Sequence, residues 1–80
     1  MNNSEMYAGR ILKIQSGKRI MKFINDAFDA GKTVYLCTYT NATKFQSKHR
    51  AMIKMGKSGS VYVQRGKKWV CADFCKWQAQ

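Results

Sequence analysis

The sequence predicts a small α+β fold: an antiparallel sheet of three or four strands, one amphipathic helix packed on it, and one short basic helix. Three observations carry this. Apolar residues recur at helical spacing between Ser16 and Ala30. β-Branched and aromatic residues crowd the stretch Thr33–Thr43. Arg65-Gly66 divides two alternating segments, as the turn of a hairpin would. The expected order is strand, helix, strand, helix, strand, strand.

The first strand is assigned to Arg-Ile-Leu-Lys-Ile-Gln, residues 10–15, a run too short for periodicity to separate strand from helix. The first helix follows over Ser16–Ala30. Ile20, Ile24 and Phe28 recur every four residues, and Met21 and Ala27 widen the stripe. Ser16 is the expected N-cap, and Gly31 stands where a C-terminal cap belongs. Lys22 and Asp26 are placed to pair at i,i+4, and Lys32 is a second candidate partner for the acids of that helix end. Thr33–Thr43 reads as one long strand, with Val34, Leu36, Thr38 and Thr40 on one face and Tyr35, Cys37 and Tyr39 on the other. Ser47–Met55 reads as a short helix capped by Ser47 and ended by Gly56. Ser60–Gln64 and Lys67–Phe74 form the hairpin, and Lys76–Gln80 are expected to fray, as are residues 1–5. The expected core is Ile20, Ile24, Phe28, Val34, Leu36, Val61, Val63 and Val70, with Trp69 and Phe74 also read as core aromatics.

With 80 residues there is room for a single small domain, and 45% hydrophobic content is too high for a disordered basic tail. The apolar runs are far shorter than the roughly 20 residues that cross a bilayer. The opening Met1-Asn2-Asn3-Ser4-Glu5 is polar, with no apolar segment of the secretory type behind it. A cytoplasmic setting without membrane association is the expectation.

Charge is the strongest functional signal. The formal net charge is +11. Residues 1–32 hold six bases against Glu5, Asp26 and Asp29, whereas residues 33–80 hold nine bases against Asp73 alone. From Lys44 to Lys68 there are eight bases and no acid. A solvated face ordinarily mixes signs, and so much charge of one sign opposes compaction unless a polyanion neutralises it. Displacing counterions from phosphates would drive such binding.

Catalytic chemistry is poorly supplied. Four carboxylates and one histidine, His49, are present, and no nucleophile elbow is readable. Asp26 and Asp29 lie at i,i+3 on the first helix without a third acidic ligand, which reads as a solvated helix end. The chain is expected not to be an enzyme and to need no cofactor. Cys37, Cys71 and Cys75 make an odd count, which argues against a complete disulfide framework. With His49 they could form a Cys3His zinc site on paper, but the spacing is that of no knuckle or ribbon, and burial as small hydrophobes is the favoured reading. Gly56-Lys57-Ser58-Gly59-Ser60 lacks the P-loop pattern and reads as a flexible basic turn.

The candidate nucleic-acid contacts are therefore Lys44, Lys48, Arg50, Lys54, Lys57, Arg65, Lys67 and Lys68 for phosphates, with Tyr39 and Tyr62 as stacking partners. Two mechanisms are open. A basic hairpin can enter a groove of DNA, or exposed aromatic rings can stack on unpaired bases of DNA or RNA. The alternative is an inhibitor or adaptor that offers the same basic surface to an acidic protein partner. A free edge of the long strand would offer a route to a homodimer.

In texture, Thr33–Phe45 followed by Val61-Tyr62-Val63-Gln64-Arg65-Gly66-Lys67-Lys68-Trp69-Val70-Cys71 resembles small basic accessory proteins encoded by bacteriophages and prophages. The resemblance covers about half the chain and lends no functional residue. It implies the cytoplasm of a host cell and a non-catalytic binding role, on nucleic acid or on a host enzyme or defence complex as an inhibitor.

Overall fold

The computed structural model describes residues 5–8, 13–73 and 75–80, with side chains for residue 6, residues 17–73 and residues 75–80. It is an α+β fold in which one helix packs against two antiparallel sheets.

The first sheet has four strands. β1 (Glu5–Ala8), β7 (Lys76–Ala79), β2 (Val34–Cys37) and β3 (Ala42–Phe45) lie side by side in that order. The second sheet has three: β4 (Ile53–Met55), β5 (Val61–Arg65) and β6 (Lys68–Cys71). The helix α1 (Lys13–Asp29) touches β2 and β7 of the first sheet and β4 and β5 of the second. A 3-10 helix, Ser47–Met52, joins β3 to β4.

Helix α1 carries the apolar stripe read from the sequence. Ile20, Ile24, Ala27 and Phe28 are all buried. The helix begins three residues before the expected N-cap, so Ser16 lies inside it, and residues 13–15 are helical rather than extended. The remainder of the expected first strand, residues 10–12, lies outside the described residues. Gly31, at φ 76°, closes the helix in the left-handed conformation that costs a residue with a Cβ most. The Lys32 amide donates to the Ala27 carbonyl at 2.9 Å and the Gly31 amide to that of Phe28 at 3.0 Å, the paired bonds of a Schellman cap.

The stretch Thr33–Thr43 is not one strand but a hairpin, β2 and β3, with Leu36 opposite Thr43. Its turn uses side chains in place of glycine. The Thr38 amide donates to the Asn41 carbonyl at 2.8 Å, and the Thr38 hydroxyl donates to the same oxygen at 3.0 Å. β2 is also interior, paired with β3 on one side and β7 on the other, so Val34–Cys37 offers no free edge for a second copy.

The expected second helix is shorter and tighter. Its 3-10 turn runs Ser47–Met52, and Ile53–Met55 leave it to become β4. Gln46 rather than Ser47 stands at its N-terminus. The Gln46 amide donates to His49 Nδ1 at 3.0 Å, and the His49 amide donates back to the Gln46 carbonyl at 2.8 Å.

The β5–β6 hairpin forms as expected, with its turn shifted by one residue to Gly66-Lys67. Gly66 takes φ 63° and Lys67, like every other described non-glycine residue, is not positive, which fits a turn needing glycine at its first central position. Arg65 pairs with Lys68 and Gln64 with Trp69.

The core contains Ile20, Ile24, Phe28, Val34, Leu36, Val61 and Val63 as expected, joined by Phe45, Ile53, Ala72, Trp77 and Ala79. Two expected core members are corrected. Val70 shares the inner face with its partner Val63 but lies on the edge strand and stays 43% exposed. Trp69 lies on the opposite face and is 38% exposed. Phe74 lies outside the described residues. The expected fraying at the C-terminal end is also overturned: β7 is a central strand, and Trp77 is fully buried on it, 6.2 Å from the Phe45 ring. At the other end Glu5 belongs to β1.

Candidate nucleic-acid interface

The second sheet has two unlike faces, set by strand alternation. Ile53, Val61 and Val63 point inward and are buried. Lys54, Tyr62, Gln64, Trp69 and Cys71 share the outward face, fixed by the pairings Lys54 to Tyr62, Tyr62 to Cys71 and Gln64 to Trp69. Lys54, Trp69 and Cys71 are exposed, and Tyr62 and Gln64 are half-buried. No acid stands among them.

Lys54 and Trp69 meet across the intervening strand. The Lys54 ammonium lies 4.1 Å from the centre of the Trp69 ring. Such a cation over an indole face is attracted by the ring quadrupole. Tyr62 is held from one side by the chain: a Cβ on Gly56 would come within 2.7 Å of the Tyr62 ring, so glycine is what lets the backbone pass beneath it.

The expected phosphate contacts are all exposed: Lys44, Lys48, Arg50, Lys54, Lys57, Arg65, Lys67 and Lys68. Three of them stand on or beside the outward face, and strand alternation turns Arg65 and Lys68 to the other side. Lys54 lies on it, Lys57 stands in the turn at one end of β5 and Lys67 in the hairpin turn at the other, while Arg65 and Lys68 pair on the side of Val63 and Val70. Lys44 is brought beside that hairpin from the first sheet. Arg65 Nη2 donates to the Thr43 hydroxyl at 3.0 Å, and Lys44, Gln64 and Arg65 border one depression between the sheets.

Two further cations are elsewhere. Lys48 borders a depression with Gly31 and Thr33. Arg50 is engaged: its guanidinium donates to Asp29 Oδ1 at 3.0 Å and lies 5.5 Å from the centre of the Phe28 ring. Of the two expected stacking residues, Tyr62 is on the face. Tyr39 is fully exposed at the β2–β3 turn and apart from the others. The residue that sequence reasoning missed is Trp69, which it had placed in the core. Alternation held the signal, because a strand that turns Val61 and Val63 inward through this hairpin turns Trp69 outward.

The basic turn is more built than expected. The Gly56 amide donates to the Ser60 carbonyl at 2.7 Å and the Gly59 amide to that of Gly56 at 3.1 Å, so both glycine amides are spent within the loop rather than open to a phosphate. Gly59 and Ser60 are buried.

The carboxylates are dispersed. Asp26 pairs with Lys22 at 2.9 Å, and Asp29 with Arg50 at 3.0 Å. Asp73 is buried and its Oδ1 accepts the Val61 amide at 2.9 Å. The three cysteines have free thiols, with Cys71 exposed and Cys37 and Cys75 half-buried, so burial as small hydrophobes does not extend to Cys71. Burial pushes the Cys75 thiol up from its ordinary value; the neighbouring Cys71 adds to this and Arg65 opposes it. Among the described residues no group of three or more Cys, His, Asp or Glu is placed to hold a metal ion, and His49 Nδ1 is occupied by the Gln46 amide.

No helix among the described residues is long and apolar enough to cross a membrane. Comparison with protein-family models, curated proteins and solved structures finds no match for this chain.

Proposed function

We propose that this chain is a non-catalytic nucleic-acid-binding module of the host cytoplasm. The outward face of its second sheet and the surrounding lysines and arginines form the contact surface. The observation that carries this reading is the acid-free stretch from Lys44 to Lys68, whose eight bases are all exposed, with Lys54, Lys57 and Lys67 on or beside one open aromatic face. A polyanion relieves the self-repulsion of a +11 chain and releases counterions as it binds. Arg50, tied to Asp29, contributes less to this surface than its position in the sequence suggests.

The test is a binding titration with fluorescent duplex DNA, single-stranded DNA and RNA at several salt concentrations. With about three or four phosphate contacts, affinity should fall by about two orders of magnitude between roughly 50 and 200 mM salt. Absence of binding at low salt would defeat the reading and transfer the basic surface to an acidic protein partner, the mode of a phage-type inhibitor.

A further inference from the structure

Resting on that reading, we infer that the ligand is taken as an unpaired strand. Bases stack on Trp69 and Tyr62, and Lys54 moves from the Trp69 ring to a phosphate.

The geometry of the two rings carries the first half. Tyr62 and Trp69 stand on adjacent antiparallel strands, on one face, two residues out of direct opposition. Such diagonal neighbours are roughly 7 Å apart. Stacked bases repeat at about 3.4 Å along a strand, so one base cannot serve both rings and two bases in helical stacking are too close. Bases drawn apart along an extended strand fit, one to each ring. A duplex offers neither the spacing nor the base faces, which its own stacking covers.

Charge carries the second half. Among the described residues no carboxylate pairs with Lys54, and the acid nearest in sequence to this sheet, Asp73, is buried and committed to the Val61 amide. Lys54 rests instead on the Trp69 ring. A base arriving on that ring replaces the ammonium with its own π face. The displaced ammonium then stands beside the incoming backbone, where a phosphate is its natural partner. Lys57 in the turn at one end of β5 and Lys67 in the hairpin turn at the other extend the track in both directions. The indole, the phenol ring and the ammonium engage base faces and phosphates, which RNA and DNA share. The site therefore does not distinguish ribose from deoxyribose.

The experiment compares labelled single strands of about 12 nucleotides, as RNA and as DNA, with the matching duplex, by anisotropy on the full chain. Intrinsic tryptophan emission is read in parallel with unlabelled strands. Trp69 and Trp77 are the two tryptophans and Trp77 is fully buried, so quenching on binding reports Trp69. Single strands should bind at least about ten-fold tighter than duplex, RNA and DNA should agree within about three-fold, and emission should be quenched. Trp69→Ala should cost about ten-fold on single strands and little on duplex, while Trp69→Phe retains most of the affinity. Lys54→Gln keeps the ring and should lower the salt slope by about one.

Equal affinity for duplex, with Trp69→Ala without effect, would overturn the unpaired-strand inference while leaving nucleic-acid binding intact. Failure to bind any strand at low salt would overturn both. Binding of polyglutamate as tightly as of single strands, insensitive to Trp69→Ala, would replace the nucleic acid by an acidic polypeptide.

Discussion

The Lys54 ammonium stands 4.1 Å from the centre of the Trp69 ring, reaching over β5 to join the two outer strands of the second sheet. An exposed cation–π contact contributes about 0.5–1 kcal/mol, too little to explain why so large an apolar ring faces outward beside a lysine. The pair holds one face of the sheet open and basic. It also keeps a ring and a charge within reach of the same ligand.

The backbone beneath that sheet is held by a glycine contact. Gly17 in α1 is buried, and a Cβ there would overlap the Gly59 carbonyl. In an exposed helix, replacing glycine by alanine gains about 1 kcal/mol. Here the sign reverses. Gly17→Ala should destabilise the chain by about 1–3 kcal/mol, because the helix and the 56–60 turn must separate. A urea titration measures this, and an unchanged or raised midpoint would contradict the contact.

Asp73 closes the same region from the other side. Its Oδ1 accepts the Val61 amide at the start of β5, in a buried setting. Asp73→Ala leaves that amide without its acceptor and should cost about 1–3 kcal/mol. Hydrogen exchange at the Val61 amide should accelerate in the variant beyond the change in global stability.

Arg50 is held at Asp29, both partly exposed, so the pair itself contributes no more than about 1 kcal/mol. Asp29→Asn should leave stability nearly unchanged but free the guanidinium, steepening the salt dependence of nucleic-acid binding by about one. Asp26→Asn adds the same charge on the same helix without touching Arg50. Equal effects from the two variants would mean that net charge alone is acting.

The thiols should differ in reactivity. Cys71 is exposed, whereas burial raises the Cys75 thiol, which therefore stays protonated further into the alkaline range. Iodoacetamide at neutral pH should modify Cys71 first and Cys75 later, as mass spectrometry of the intact and digested chain would read. The same shift sets a sign for stability. The folded state keeps the Cys75 proton where the unfolded chain has begun to lose it. Its contribution is complete below the ordinary value of 9.0 and is lost as pH rises through the raised folded value.

What the sequence revealed follows from where each signal is written. Helix α1 was legible because Ile20, Ile24 and Phe28 state its period locally and Gly31 states its end. The β5–β6 hairpin was legible because Gly66 is at its turn. The β2–β3 hairpin was not, because its turn is made by the Thr38 hydroxyl and Asn41 inside a run of strand-forming residues. Trp77 was misread because proximity to the chain end suggested fraying, whereas its burial is decided by pairing with β1 and β2 far away in sequence. Trp69 was misread for the opposite reason. Size argued for the core, while alternation from Val63 argued for the surface, and alternation prevailed. The basic residues of the candidate site were fully visible; which of them reach the open face depends on strand register and on two sheets sharing one helix, which no local pattern records.

The most direct measurement is an amide and side-chain NMR titration of the isotopically labelled chain with a short single strand at low salt. The expected result is a set of shifts confined to Lys54, Tyr62, Gln64 and the Trp69 indole, with weaker effects at Lys57 and the Gly66 turn. Shifts centred instead on the outward face of the first sheet, around Tyr35, Lys76 and Gln78, or no shifts at all, would contradict the assignment of this face as the binding site.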